Sequence, residues 1–133
     1  MINAKAVDLE YVDFSNMFVT RQASLPPSLK ILIDSISTHP IQELYLHDNA
    51  FGPIGVAQFE DFLRSAKNLT TLSVTNCGLG PQASSTIANA LIANTDTKLR
   101  KLRMSRSRVE TEGAKVLAAY FNMYDSLEHL ELS

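Results

Sequence analysis

The chain has 133 residues, 45% hydrophobic and 20% charged, with a formal net charge of −2. That length fits one ordinary domain, the apolar content excludes a disordered chain, and the negative balance argues against a nucleic-acid binder recruited by bulk charge. A single cysteine, Cys77, excludes an internal disulfide, and residues 1–12 lack a secretory signal's basic start and unbroken apolar stretch. No segment reaches the ~20 apolar residues of a membrane span, so a soluble, cytoplasmic protein is expected.

The first segment, LEYVDFSNMF from Leu9, sets a frame in which the first, fourth and sixth positions are apolar. Pro26-Pro27-Ser28 then precede Leu29, Leu32, Ile33 and Ile36, which share one face of a helix. The frame returns as IQELYLHDNAF from Ile41, where Leu44-Tyr45-Leu46 alternates with period two, the mark of a strand with one buried face. Gly52-Pro53 sits at the entry to a second helical pattern, Phe59, Phe62, Leu63 and Ala66; proline is tolerated there because its missing N–H would have no helical partner. The third copy, LTTLSVTNCGL from Leu69, is followed by Gly80-Pro81 and by Ile87, Ala90 and Leu91 at the same offsets. The fourth, LRKLRMSRSRV from Leu99, leads to Leu117, Tyr120 and Phe121, and a last LEHLEL begins at Leu127.

The copies start 32, 28, 30 and 28 residues apart. That is the period of a leucine-rich repeat, one strand and one helix per unit, and a unit too small to bury its own apolar face must stack on its neighbours. The expected fold is an α/β leucine-rich-repeat solenoid, a ribonuclease-inhibitor-like arc with parallel strands on the concave side and helices on the convex side. It spans residues 1–133 as one domain of about four repeats plus a truncated fifth strand, whose bare edge is a candidate for self-association. Asn49 and Cys77 occupy the ninth frame position, where a small polar side chain satisfies the backbone of a tight turn. Cys77 is therefore expected to be buried and inert.

No catalytic or metal constellation is legible. His39, His47 and His129 lie in different repeats, no GxxxxGK loop is present, and neither cofactor nor metal is expected. A recognition surface is the natural use of such an arc. One row, Asn16, Asp48, Asn76 and Arg106, immediately precedes the ninth position and should line up along one rim. Repeat four adds Arg100, Lys101, Arg103, Arg106 and Arg108, with Arg103 projecting from the concave face between Leu102 and Met104. An acidic protein surface is the first partner these suggest; nucleic acid comes second.

DNAFGP (48–53), NCGLGPQ (76–82), SRSRVETEG (105–113) and SNMFVTR (15–21) with Pro26-Pro27 resemble, in collinear order, the N-terminal portion of the Ran GTPase-activating protein family. The resemblance implies an activator without an active site of its own, acting on a Ran-type small GTPase in its GTP state, and a place in nucleocytoplasmic transport. It implies that the chain works without an arginine finger. Asn76 matches the rim asparagine that helps hold the GTPase's glutamine, which orients the attacking water. Arg21 matches a functionally important arginine, with a role in docking and in holding its loop. His47, Asp48, Arg103, Arg106 and Arg108 become partner-binding candidates. The chain departs from the family pattern at Thr20, where glycine is expected, in the segment 22–25, one residue shorter, and at Ser107, where a ladder asparagine is expected. The alternative is a leucine-rich-repeat scaffold that binds a protein without activating it.

Overall fold

The computed structural model describes residues 9–18, 25–96 and 99–133. Five strands, β1 (Tyr11–Asp13), β2 (Glu43–Tyr45), β3 (Thr71–Ser73), β4 (Lys101–Met104) and β5 (His129–Leu132), form one parallel sheet in chain order. Parallel neighbours need a crossover, and helices supply it. They are α1 (Leu25–Ile36), the pair α2 (Gly52–Ala57) and α3 (Glu60–Ser65), α4 (Gly80–Ala93) and α5 (Glu110–Met123). The molecule is an α/β leucine-rich-repeat fold.

Register follows the frame. Val12, Leu44, Leu72, Leu102 and Leu130 stand side by side across the sheet, so the fourth frame position forms one continuous row, buried from Val12 to Leu102. With Leu46, Val74 and Met104 its buried members pack against Leu63, Ile87, Leu91, Leu117 and Tyr120 from the helices and against Phe59 between α2 and α3. The row fades at its β5 end, where Leu130 and Leu132 lie on an outermost strand and are exposed; Leu9 and Met17, flanking β1, are exposed as well.

Two local details differ from the sequence expectation. Pro26 and Pro27 lie inside the first turn of α1, where missing N–H groups cost nothing. The single helix expected in repeat two is broken between α2 and α3. Gly55 brings α2 so close to its own start that a Cβ there would stand 2.6 Å from the Phe51 Cβ. Phe51 and Phe59, with ring centres 5.6 Å apart, then fill the gap beneath the break.

Candidate functional site at the strand-to-helix rim

Each strand ends in the same turn, and its geometry is set by a left-handed residue. Asn16, Asp48, Asn76 and Arg106 have φ of 58°, 60°, 56° and 57°. Asparagine and aspartate visit this region more readily than other L-residues because their short side chains bond locally. Main-chain bonds run from each rim residue to the next repeat: Asn16 N to His47 O at 3.0 Å, Asp48 N to Thr75 O at 3.0 Å, Asn76 N to Ser105 O at 2.9 Å. The expected row is therefore a row in space, with its members fixed at the spacing of the strands.

Behind the rim, the ninth-position residues form the ladder. Asn49 is buried, donates through Nδ2 to Phe14 O and Leu46 O at 3.0 and 2.7 Å, and accepts through Oδ1 from Met17 N and Phe18 N. Cys77 donates its thiol to Leu46 O at 3.0 Å. Burial pushes that thiol up to about 12, so it stays protonated and unreactive, as its ladder position leads one to expect. Ser107 donates to Met104 O and fills the same place with fewer bonds.

In front of the ladder, Asp48 and Asn76 point into solvent and meet: Asn76 Nδ2 donates to Asp48 Oδ1 at 3.0 Å. Arg106 follows in the row and Arg108 stands exposed beyond it; among the described residues neither forms an ion pair. Arg21 lies outside the described residues. His47 sits lower on the open face of the sheet, its Nδ1 3.4 Å from Ser73 Oγ and its ring edge-on to Tyr45.

The basic cluster of repeat four is thinner than its sequence suggests. Arg103 does face outward between buried Leu102 and Met104, but its Nε donates to Glu131 Oε2 at 2.9 Å, and Arg100 pairs with Glu128 at 3.1 Å. Glu131 also receives His129 Nε2 at 2.9 Å; His129 first and Arg103 second hold its carboxyl below the usual range. These partners come from β5 and the residue just before it, one repeat away, and the signal for them was the shared frame position of Arg103 and Glu131. Farther down the face, Tyr45 donates to Glu43 at 2.7 Å and is pushed up to about 12, chiefly by that bond. Among the described residues no group of three or more His, Cys, Asp or Glu could hold a metal ion, and no helix is long and apolar enough to cross a membrane.

Residues 95–118 match a family model described as Leucine Rich repeat. Across 94% of its length the chain is 33% identical to Ran GTPase-activating protein 1 of Xenopus laevis, of which it spans 24%. It is 35% identical to Ran GTPase-activating protein of Drosophila melanogaster, over 90% of the chain and 22% of that protein. With Ran GTPase-activating protein 1 of Saccharomyces cerevisiae, identity is 31% over 80% of the chain and 28% of the relative. The chain thus spans about a quarter of the length of these relatives. Among solved structures it superposes on the tropomodulin C-terminal domain of Caenorhabditis elegans with a TM-score of 0.76 at 16% identity, covering 95% of this chain and 74% of that one. Leiomodin-1 actin-binding site 2 gives 0.72 at 13%, over 92% and 69% of the two chains. At such identities the likeness is one of fold.

Proposed function

This leucine-rich-repeat chain is a homologue of the Ran GTPase-activating proteins, and from that kinship we propose that it stimulates GTP hydrolysis by a Ran-type small GTPase bound to GTP. The observation that carries the reading is an exposed amide, Asn76, standing on a rigid rim in the segment shared with those relatives. In this reading the GTPase brings the nucleotide and the active site, and the chain brings a hydrogen-bonding group that holds the GTPase's glutamine against the attacking water. Positioning and electrostatics are most of what phosphoryl transfer asks of a protein, so one well-placed amide is a sufficient contribution. Arg21 works with Asn76 on the partner, and His47, Asp48, Arg103, Arg106 and Arg108 are the docking residues. Residues 1–133 act as one repeat domain, in the cytoplasm, within nucleocytoplasmic transport. The exposed edge of β5 offers a route to self-association.

A second reading, a scaffold that binds without activating, draws support from the open sheet face. There Tyr11, Tyr45 and His47 form an aromatic strip, with Tyr11 and Tyr45 ring centres 5.2 Å apart. Single-turnover hydrolysis of GTP on purified Ran separates the two. The activator reading expects stimulation by the chain and a loss of about a hundredfold in Asn76→Ala at saturating chain, the cost of a misplaced reacting geometry. Binding to Ran with no stimulation would sink it in favour of the scaffold.

A further inference from the structure

We propose that Asp48 is a positioning residue for Asn76: it fixes the polarity of the asparagine amide, turning the amide oxygen toward the partner. The inference rests on the activator reading and deepens it.

An amide can present either end to its surroundings, and the two ends do opposite things. The neighbour at 3.0 Å settles which end faces the row. An ionised carboxylate only accepts, so Asn76 must direct Nδ2 at Asp48 Oδ1, and Oδ1 of Asn76 is left facing away. The bond is charge-assisted, which keeps it directional even at an exposed site. Neither side chain can drift from this arrangement through its backbone. Both residues are held in the left-handed region, and both main-chain N–H groups are bonded onward to Thr75 O and Ser105 O.

The polarity decides what the rim can do for a glutamine. With Oδ1 outward, Asn76 accepts from the glutamine's amide N–H, and the glutamine's own carbonyl oxygen remains free to accept a hydrogen from the attacking water. With Nδ2 outward, Asn76 would donate to that carbonyl and compete with the water for it. Asp48 thus selects the orientation that leaves the water its acceptor. It does so without touching nucleotide, where its charge would repel phosphate. The row position explains why aspartate serves: the site needs an acceptor with no donor, on a backbone that few other residues tolerate.

The test uses the whole chain with Asp48→Gly, Asp48→Asn, Asn76→Ala and the Asp48→Gly/Asn76→Ala double variant. Glycine keeps the left-handed backbone and removes the acceptor; asparagine keeps both the backbone and a carbonyl acceptor. The first readout is single-turnover GTP hydrolysis on Ran across a range of chain concentrations. Asp48→Gly should lower the rate at saturation about tenfold, over and above any change in the half-saturating concentration, the price of one lost orienting bond. Asp48→Asn, whose amide can turn either end toward Asn76, should recover only part of it, and Asp48→Gly should have no further effect once Asn76 is alanine. The second readout is the Asn76 side-chain amide signal by NMR in the free chain, which Asp48→Gly should shift and Asp48→Asn should shift less. A change in half-saturation alone would make Asp48 a docking residue and overturn the inference. So would an unmoved amide signal, or full activity in Asp48→Gly while Asn76→Ala is dead. If Asn76→Ala is as active as the parent, the activator reading itself falls and takes the inference with it.

Discussion

Eight residues past the central strand leucine, repeats two and three place Gly52 (φ 60°) and Gly80 (φ 71°), whereas repeat four places Glu110 (φ 55°). Two residues earlier, Gly78 (φ 62°) of repeat three faces Arg108 (φ 46°) of repeat four, and at the rim Asn76 faces Arg106. The two turns keep the left-handed conformation at the same three positions, with glycine and asparagine in one and three long L-residues in the other. Each such residue outside glycine costs roughly 1–2 kcal/mol. Repeat four therefore carries strain that repeat three does not, and holds it because α5 is packed hard beneath the turn: a Cβ on Gly113 would lie 2.9 Å from Val109 Cγ1 and 3.2 Å from Ser84 Cβ. Strain of this kind gathers where side chains are wanted more than comfort. Here the side chains gained are two exposed guanidinium groups at the end of the rim.

The comparison predicts that the turns of repeats two and three depend on their ladder residue more than the turn of repeat four does. Asn49→Ala strips four backbone groups of their partner in a buried turn and should destabilise the chain by about 3 kcal/mol in urea denaturation. Ser107→Ala removes one hydroxyl donor, to Met104 O, and should cost about 1 kcal/mol. Equal losses would show that the ladder position, and not its bonding, sets the cost.

A smaller effect, of opposite sign in the two turns, comes from exchanging the left-handed residues. No heavy atom lies within 4 Å of a Cβ added to Gly80, so Gly80→Ala meets no clash and reports conformation alone; it should lower stability by about 1 kcal/mol. Glu110→Gly should raise stability by a similar amount of about 1 kcal/mol. Thermal unfolding of the two variants decides it. If Glu110→Gly destabilises, the carboxylate is contributing at the start of α5 more than its backbone costs.

How far the sequence carried the reading differs by level. The fold was legible because period and offset repeat: Leu44, Leu72 and Leu102 are identified by counting, and counting also places Phe59, Ile87 and Leu117 beneath them. The rim row was legible for the same reason. Its contacts were not, since residues 28 apart, such as Asp48 and Asn76, meet only once stacking is fixed. Counting likewise could not reveal that Asn94 reaches back to donate to Leu63 O and Ala66 O at the end of the preceding helix. The split of α2 from α3 sets Phe51 and Phe59 side by side in the core, a pairing that no periodicity expresses.

The smallest effect tests how the charged end of the sheet differs from its middle. Strand β3 is buried throughout, whereas β5 is largely exposed and is tied to β4 by side chains as well as by its backbone ladder. The central tie is Glu131, bonded by His129 and Arg103, whose donors hold its carboxyl below the usual carboxylate range. A carboxylate with a depressed folded-state pKa adds stability that is present above its unfolded value, about 4.3, and lost as pH falls through the folded value. Amide hydrogen exchange, corrected for its intrinsic pH dependence, should therefore show β5 losing protection relative to β3 below about pH 4. Glu131→Gln should remove that acid step and leave β5 less protected at neutral pH. Glu128 supplies a neighbouring pair with Arg100, so Glu128→Gln serves as the reference for a carboxylate that only flanks the strand. Should Glu128→Gln erase the step and Glu131→Gln leave it, the edge would be held by the flanking pair, and Arg103 would be released to the open face as a docking residue in its own right.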